Sequence, residues 1–83
     1  MSKIEELATA VGSGRAKIVP SLVQECLDEG NAPIDILNKG MIDAMAVVGE
    51  KFKNNEIFVP EMLVAAKAMK KGVEVLKPHL AGD

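Results

Sequence analysis

From Pro33 to Phe52 the chain sets Ile36, Gly40, Ala44, Val48 and Phe52 at steps of four, with Leu37, Met41 and Met45 beside them. This spacing keeps one helix face apolar for about five turns. In a chain of 83 residues, a helix of that length must be covered by whatever else folds, so it commits the molecule to helix-on-helix packing. Pro33 suits the first helical turn because its φ is already fixed, and Asp35 places a carboxylate near the positive end of the helix dipole. Lys53-Asn54-Asn55 closes the segment, since asparagine tolerates the left-handed conformation of a tight stop.

The other segments read the same way. Ser2 and Glu5 have the spacing of a capping box, which predicts a helix from about Lys3 to Val11 with Ile4, Leu7, Ala8 and Val11 on its apolar stripe. Gly12-Ser13-Gly14 stops it. A second helix buries Ile18, Leu22 and Cys26, with Val19, Val23 and Leu27 one step off. Pro20 gives it either a late start near Val19 or a kink, and Gly30 closes it. The last helix starts at Pro60-Glu61 and runs through Met62, Leu63, Ala66, Met69, Val73 and Leu76 to Pro78, with Lys67, Lys70 and Lys71 on its other side. No stretch alternates as a strand does. The expected fold is all-α, a small four-helix bundle, antiparallel with short loops.

Composition narrows the function classes. With 48% apolar residues but only 2% aromatic, no Trp and no Tyr, the interior must be aliphatic with help from five Met. Ten basic against twelve acidic residues, net charge -2, give no electrostatic reason to expect nucleic acid or an anionic membrane. The one cysteine rules out a disulfide framework within the chain and a Cys-x-x-Cys pair. With no leader and no apolar run near the ~18 residues of a membrane span, the expected location is the cytoplasm. Enzyme signatures are lacking. His79 lies past the last apolar stripe without a Cys or Asp partner, Cys26 sits on a core stripe, and Gly12-Ser-Gly14 follows a helix instead of a strand. Glu25, Asp28 and Glu29 read as a solvated face. No catalytic residue and no metal ligand is assigned.

The segment from Gly49 to Glu61 holds the only two aromatics, Phe52 and Phe58. Ile57-Phe58-Val59 sets three large apolar residues in a row at a helix start, where they cannot all point to one side. At least one is expected to face outward, toward a ligand or partner.

Val48-Gly-Glu-Lys-Phe52, Glu56-Ile-Phe-Val-Pro-Glu61, Ala65-Ala-Lys-Ala-Met69 and Val75-Leu-Lys-Pro78, with Asp35 to Asp43, resemble the helical cap module of cobalamin-binding proteins. That module precedes the corrinoid-binding Rossmann-like domain in methionine synthase and in the corrinoid proteins of methanol and methylamine methyl transfer. The likeness is strongest over residues 34 to 78; residues 1 to 32 are similar in pattern only. The resemblance implies an N-terminal cap, residues 1–77, that shields the upper face of cobalamin during methyl transfer, and a linker beginning at 78–83 with a hinge from Pro78 onward. It implies Phe52, Phe58, Val59 and Met62 as the cofactor-binding groups over that face, Val59 departing from the leucine often found there. The family's Asp-x-His-x-x-Gly motif, whose histidine ligates cobalt from below, has no match here, and His79 lacks its neighbours. The chain is therefore expected to be non-catalytic and to bind cobalamin weakly or not at all by itself. Its expected partners are the corrinoid-binding Rossmann-like domain and methyltransferase proteins, with self-association through the uncovered loop. A second reading is a stand-alone helical protein-interaction module using the Phe52-Val59 loop; a third is a small DNA-binding module using the lysines of the last helix.

Overall fold

The computed structural model describes residues 2–81, all of whose regular structure is helical. Helix α1 spans Lys3–Gly12, α2 Val19–Asp28, α3 Pro33–Leu37, α4 Asp43–Lys53 and α5 Val59–Ala81. A π-helical turn, Asn38–Ile42, joins α3 to α4 without a break, so the chain builds four rods, as its periodicity predicts. At 1.5 Å per residue, the 23 residues of α5 extend about 34 Å along a molecule whose longest dimension is 40 Å.

Several of the helix ends have a local reason. Both halves of the capping box form at α1: the Glu5 amide donates to Ser2 Oγ, and the Ser2 amide to Glu5 Oε1, each at 3.2 Å. Helix α2 takes the late start, with Pro20 in its first turn, where a missing amide costs nothing. Helices α1, α2 and α4 all stop in Schellman geometry. The residues after their caps, Gly14 (φ 73), Gly30 (φ 93) and Asn55 (φ 63), take the left-handed conformation. The next amide then reaches back five residues, Arg15 to the Ala10 carbonyl, Asn31 to Cys26 and Glu56 to Lys51, at 2.8 to 3.2 Å.

The interior is aliphatic, built on Leu7, Val11, Val19, Val23, Cys26, Ile36, Met41 and Leu76, all fully buried. Burial pushes the Cys26 thiol up from its ordinary range, with the carboxylates of Glu29 and Glu25 adding to the effect. Lys3 Nζ reaches Glu25 Oε1 at 2.8 Å and ties the start of α1 to α2. That hydrogen bond and charge hold the ammonium above its ordinary pKa.

Two close approaches mark the packing, and both are made at glycine. A Cβ at Gly40 would stand 2.7 Å from Leu7 Cδ2, and one at Gly72 would stand 2.8 Å from Met41 Sδ and 2.9 Å from Val19 Cγ1. The π turn, in which the Asp43 amide donates to the Asn38 carbonyl, presents both Gly40 and Met41 inward. A regular helix carries no such extra residue in the turn.

Three sequence expectations are corrected. Leu63 is 61% exposed and Ala66 is also exposed, because α5 turns its small residues Ala65, Ala68 and Gly72 inward to come close to its neighbours. Ile18 precedes α2 and is 43% exposed. Helix α5 does not stop at Pro78 but continues to Ala81, with Leu80 packed against the core. Residues 78–81, where a linker is expected to start, are thus helical, and the last two positions of that expected linker, Gly82 and Asp83, lie outside the described residues. No helix among the described residues is long and apolar enough to cross a membrane.

Candidate functional site: an exposed apolar turn between α4 and α5

The turn that joins α4 to α5 is held by the backbone. Asn54 and Asn55 amides donate to the carbonyls of Glu50 and Phe52, and the Glu56 amide donates to Lys51 at 2.8 Å. At its far end the carboxylate of Glu61 reaches back to accept from the Phe58 amide at 3.1 Å, while the Phe58 carbonyl accepts from the amides of Glu61 and Met62. Phe58 thus stands immediately before α5, a position that serine, threonine or aspartate occupies with gain because the side chain can accept a free amide. Phenylalanine does nothing of that kind. The residue meets no local structural need, and 68% of its surface is exposed.

The three consecutive apolar residues divide by role. Ile57 is half-buried and lines a cleft of about 320 Å³ with Val48, Lys51, Glu61 and Val64. Phe58 and Val59 (49% exposed) face outward, and Phe52, at the end of the α4 stripe, is 37% exposed. Met62 is half-buried one turn into α5. The structure therefore exposes Phe52, Phe58 and Val59 around one short turn and leaves Met62 half-buried one turn into α5. Ile57 is the most covered of the three consecutive apolar residues.

One member of this surface escapes the sequence reading. Leu63, counted in the apolar run of the last helix, lies one turn beyond Val59 and extends the apolar surface along α5. The signal was present in the small residues: Ala65, Ala68, Gly72 and Leu76 step by three and four, and that line, not the one through Leu63, is the buried face.

Chemically the surface offers contact area and nothing reactive. No cluster of three or more His, Cys, Asp or Glu side chains that could hold a metal ion is present among the described residues. Lys67, Lys70 and Lys71 are exposed further along α5, and His79 is exposed in its last turn. Cys26 is fully buried.

The chain is similar to monomethylamine corrinoid protein 2 of Methanosarcina acetivorans, 41% identical over 76 residues, which covers 92% of this chain and 35% of that protein. It is also similar to a corrinoid protein of Desulfitobacterium hafniense, 36% identical over 81 residues, covering 98% of this chain and 38% of the other. Among solved structures, the monomethylamine corrinoid protein of Methanosarcina barkeri superposes with a TM-score of 0.89 at 36% identity, over 93% of this chain and 36% of that one. The chain thus spans little more than a third of the length of these relatives. Residues 3–77 match the family described as the B12 binding domain, and on that match, with the shared fold, the chain belongs to this family.

Proposed function

We propose that this chain is the helical cap of a corrinoid methyl carrier, and that Phe52, Phe58, Val59 and Met62 cover the upper face of a cobalamin held by a following Rossmann-like domain. The observation that carries the reading is Phe58, an aromatic with no local structural duty, exposed on a turn whose backbone is rigidly capped at both ends. These residues fit the group. A corrin presents a broad face with an apolar interior, and an apolar side-chain surface without a nearby ligand cluster suits covering it better than coordinating its metal. When bound, the corrinoid supplies the methyl-carrying chemistry. This chain's residues exclude water and oxidants from it, and excluding solvent is the physical means by which a reactive centre is kept from side reactions. Because backbone hydrogen bonds and the Glu61 carboxylate hold the turn, the cap moves as a rigid piece, and access to the cofactor depends on displacing the whole domain when a methyltransferase docks. The cap is non-catalytic in this role and works in the cytoplasm.

The test is a chimaera in which this chain replaces the third of the M. barkeri protein on which it superposes. Phe58→Asp in that chimaera is expected to speed air oxidation of the reduced corrinoid several-fold, about tenfold if the residue contributes ~1.4 kcal/mol of exclusion. An unchanged oxidation rate, with cofactor content unchanged, would overturn the assignment. The isolated chain should show weak cobalamin binding or none by calorimetry.

A further inference from the structure

On the side of α5 reached through Val64, the α1–α2 turn and the helix enclose a groove of about 600 Å³, lined by Gly14, Arg15, Lys17, Ile18, Val64 and Lys67. Three other clefts measure about 290 to 350 Å³, and each sets one basic residue against one acidic: Asp43 with Lys51, Glu6 with Arg15, Glu61 with Lys51. The lining of the groove holds three cations and no carboxylate, Arg15 being shared with the neighbouring cleft that also holds Glu6. That concentration stands out in a chain of net charge -2. None of the three is in an ion pair, the ion pairs among the described residues being those of Lys3 with Glu6 and Glu25. Its floor is apolar, with Ile18 43% and Val64 48% exposed.

The groove is also preformed. Gly14, at φ 73, abuts Val64 so closely that a Cβ has no room. The turn is braced by Gly14 to Val11, Arg15 to Ala10 and Ile18 to Arg15 backbone hydrogen bonds of 2.9 to 3.2 Å. A site that needs no ordering loses less affinity on binding.

We infer that this groove docks an acidic polypeptide segment of a partner protein, which inserts one bulky apolar side chain between Ile18 and Val64 and sets its carboxylates against Arg15, Lys17 and Lys67. Cations around an apolar slot recognise such a segment by charge and shape together. A nucleic acid is disfavoured, because the slot has no aromatic platform on which a base could stack. The inference does not rest on the corrin reading, since it uses other residues.

The probe is a set of pentapeptides, Asp-Glu-X-Glu-Asp with X leucine, phenylalanine or tryptophan, titrated into the 83-residue chain while the Ile18 and Val64 methyl resonances are followed by NMR. At least one acidic peptide is expected to shift both residues' methyls saturably, its Asn-Gln-X-Gln-Asn counterpart to bind about tenfold more weakly, and Lys67→Glu to weaken it about fivefold with the far-UV circular dichroism unchanged. The inference is overturned if all three peptides leave the methyls unmoved, if the neutral peptides bind equally well, or if Lys67→Glu changes nothing. It is also overturned if oligo-thymidylate of equal charge binds as tightly, or if the methyls shift with protein concentration alone, which marks a second copy as the occupant.

Discussion

The interior around Leu7, Met41 and Gly72 and the turn around Phe52, Phe58 and Val59 are made of similar apolar residues, yet the first group is buried and the second lies open. The difference is in what holds the backbone. In the interior, side chains touch from three rods at once, and a Cβ added at Gly40 or Gly72 would force Leu7, Met41 or Val19 to shift. At the turn, hydrogen bonds between backbone groups, with the Glu61 carboxylate, do the holding, and the side chains are left free for another surface. A protein that must present apolar groups without collapsing onto them needs this separation of duties.

The sharpest break in the comparison is Leu7→Ala against Phe58→Ser. Leu7 is fully exchanged from water, so its truncation should cost about 3 kcal/mol in urea unfolding. The Phe58 change should stay within about 0.5 kcal/mol, since the side chain is mostly exposed already. Equal losses would mean that the turn is part of the core. Next comes Gly72→Val, whose branches meet Met41 and Val19; a loss of about 2 kcal/mol in the same measurement is expected from overpacking. Asn55→Ala should cost about 1 kcal/mol because of its positive φ, while Asn55→Gly should be neutral or slightly stabilising.

The smallest effect at neutral pH concerns Cys26. Its pKa is raised by burial, so the folded state keeps a proton that the unfolded state releases. Stability should be level below the ordinary thiol range and should fall as pH rises through it toward the higher folded value. Iodoacetamide labelling of Cys26 should track global unfolding measured by circular dichroism. Labelling faster than unfolding would show that α2 opens locally.

The residues that announced themselves in the sequence are those that act locally. Ser2 with Glu5, Gly14, Gly30, Asn55, Pro20 and Pro33 mark helix ends through their own φ or side-chain oxygen, so the rods and their order were legible before any packing was known. The exposed turn was legible too, because no helix start can bury three apolar neighbours in a row. Leu63, Ala66 and Ile18 were misplaced for the opposite reason. Their burial depends on how closely α5 and the α1–α2 turn approach the other rods, a distance decided by pairs such as Gly72 with Met41 and Gly14 with Val64, far apart in the chain.

By itself, then, the amino-acid sequence determined four helical rods, their caps, an aliphatic core and an apolar turn, all consequences of periodicity and backbone preference within a few residues. Only the structure showed the π turn at Asn38–Ile42, the continuation of α5 through Pro78 and the basic groove beside Val64. The groove needs the α1–α2 turn and α5 to approach across the fold, and that approach is a property of residue pairs such as Gly14 with Val64, far apart in the chain.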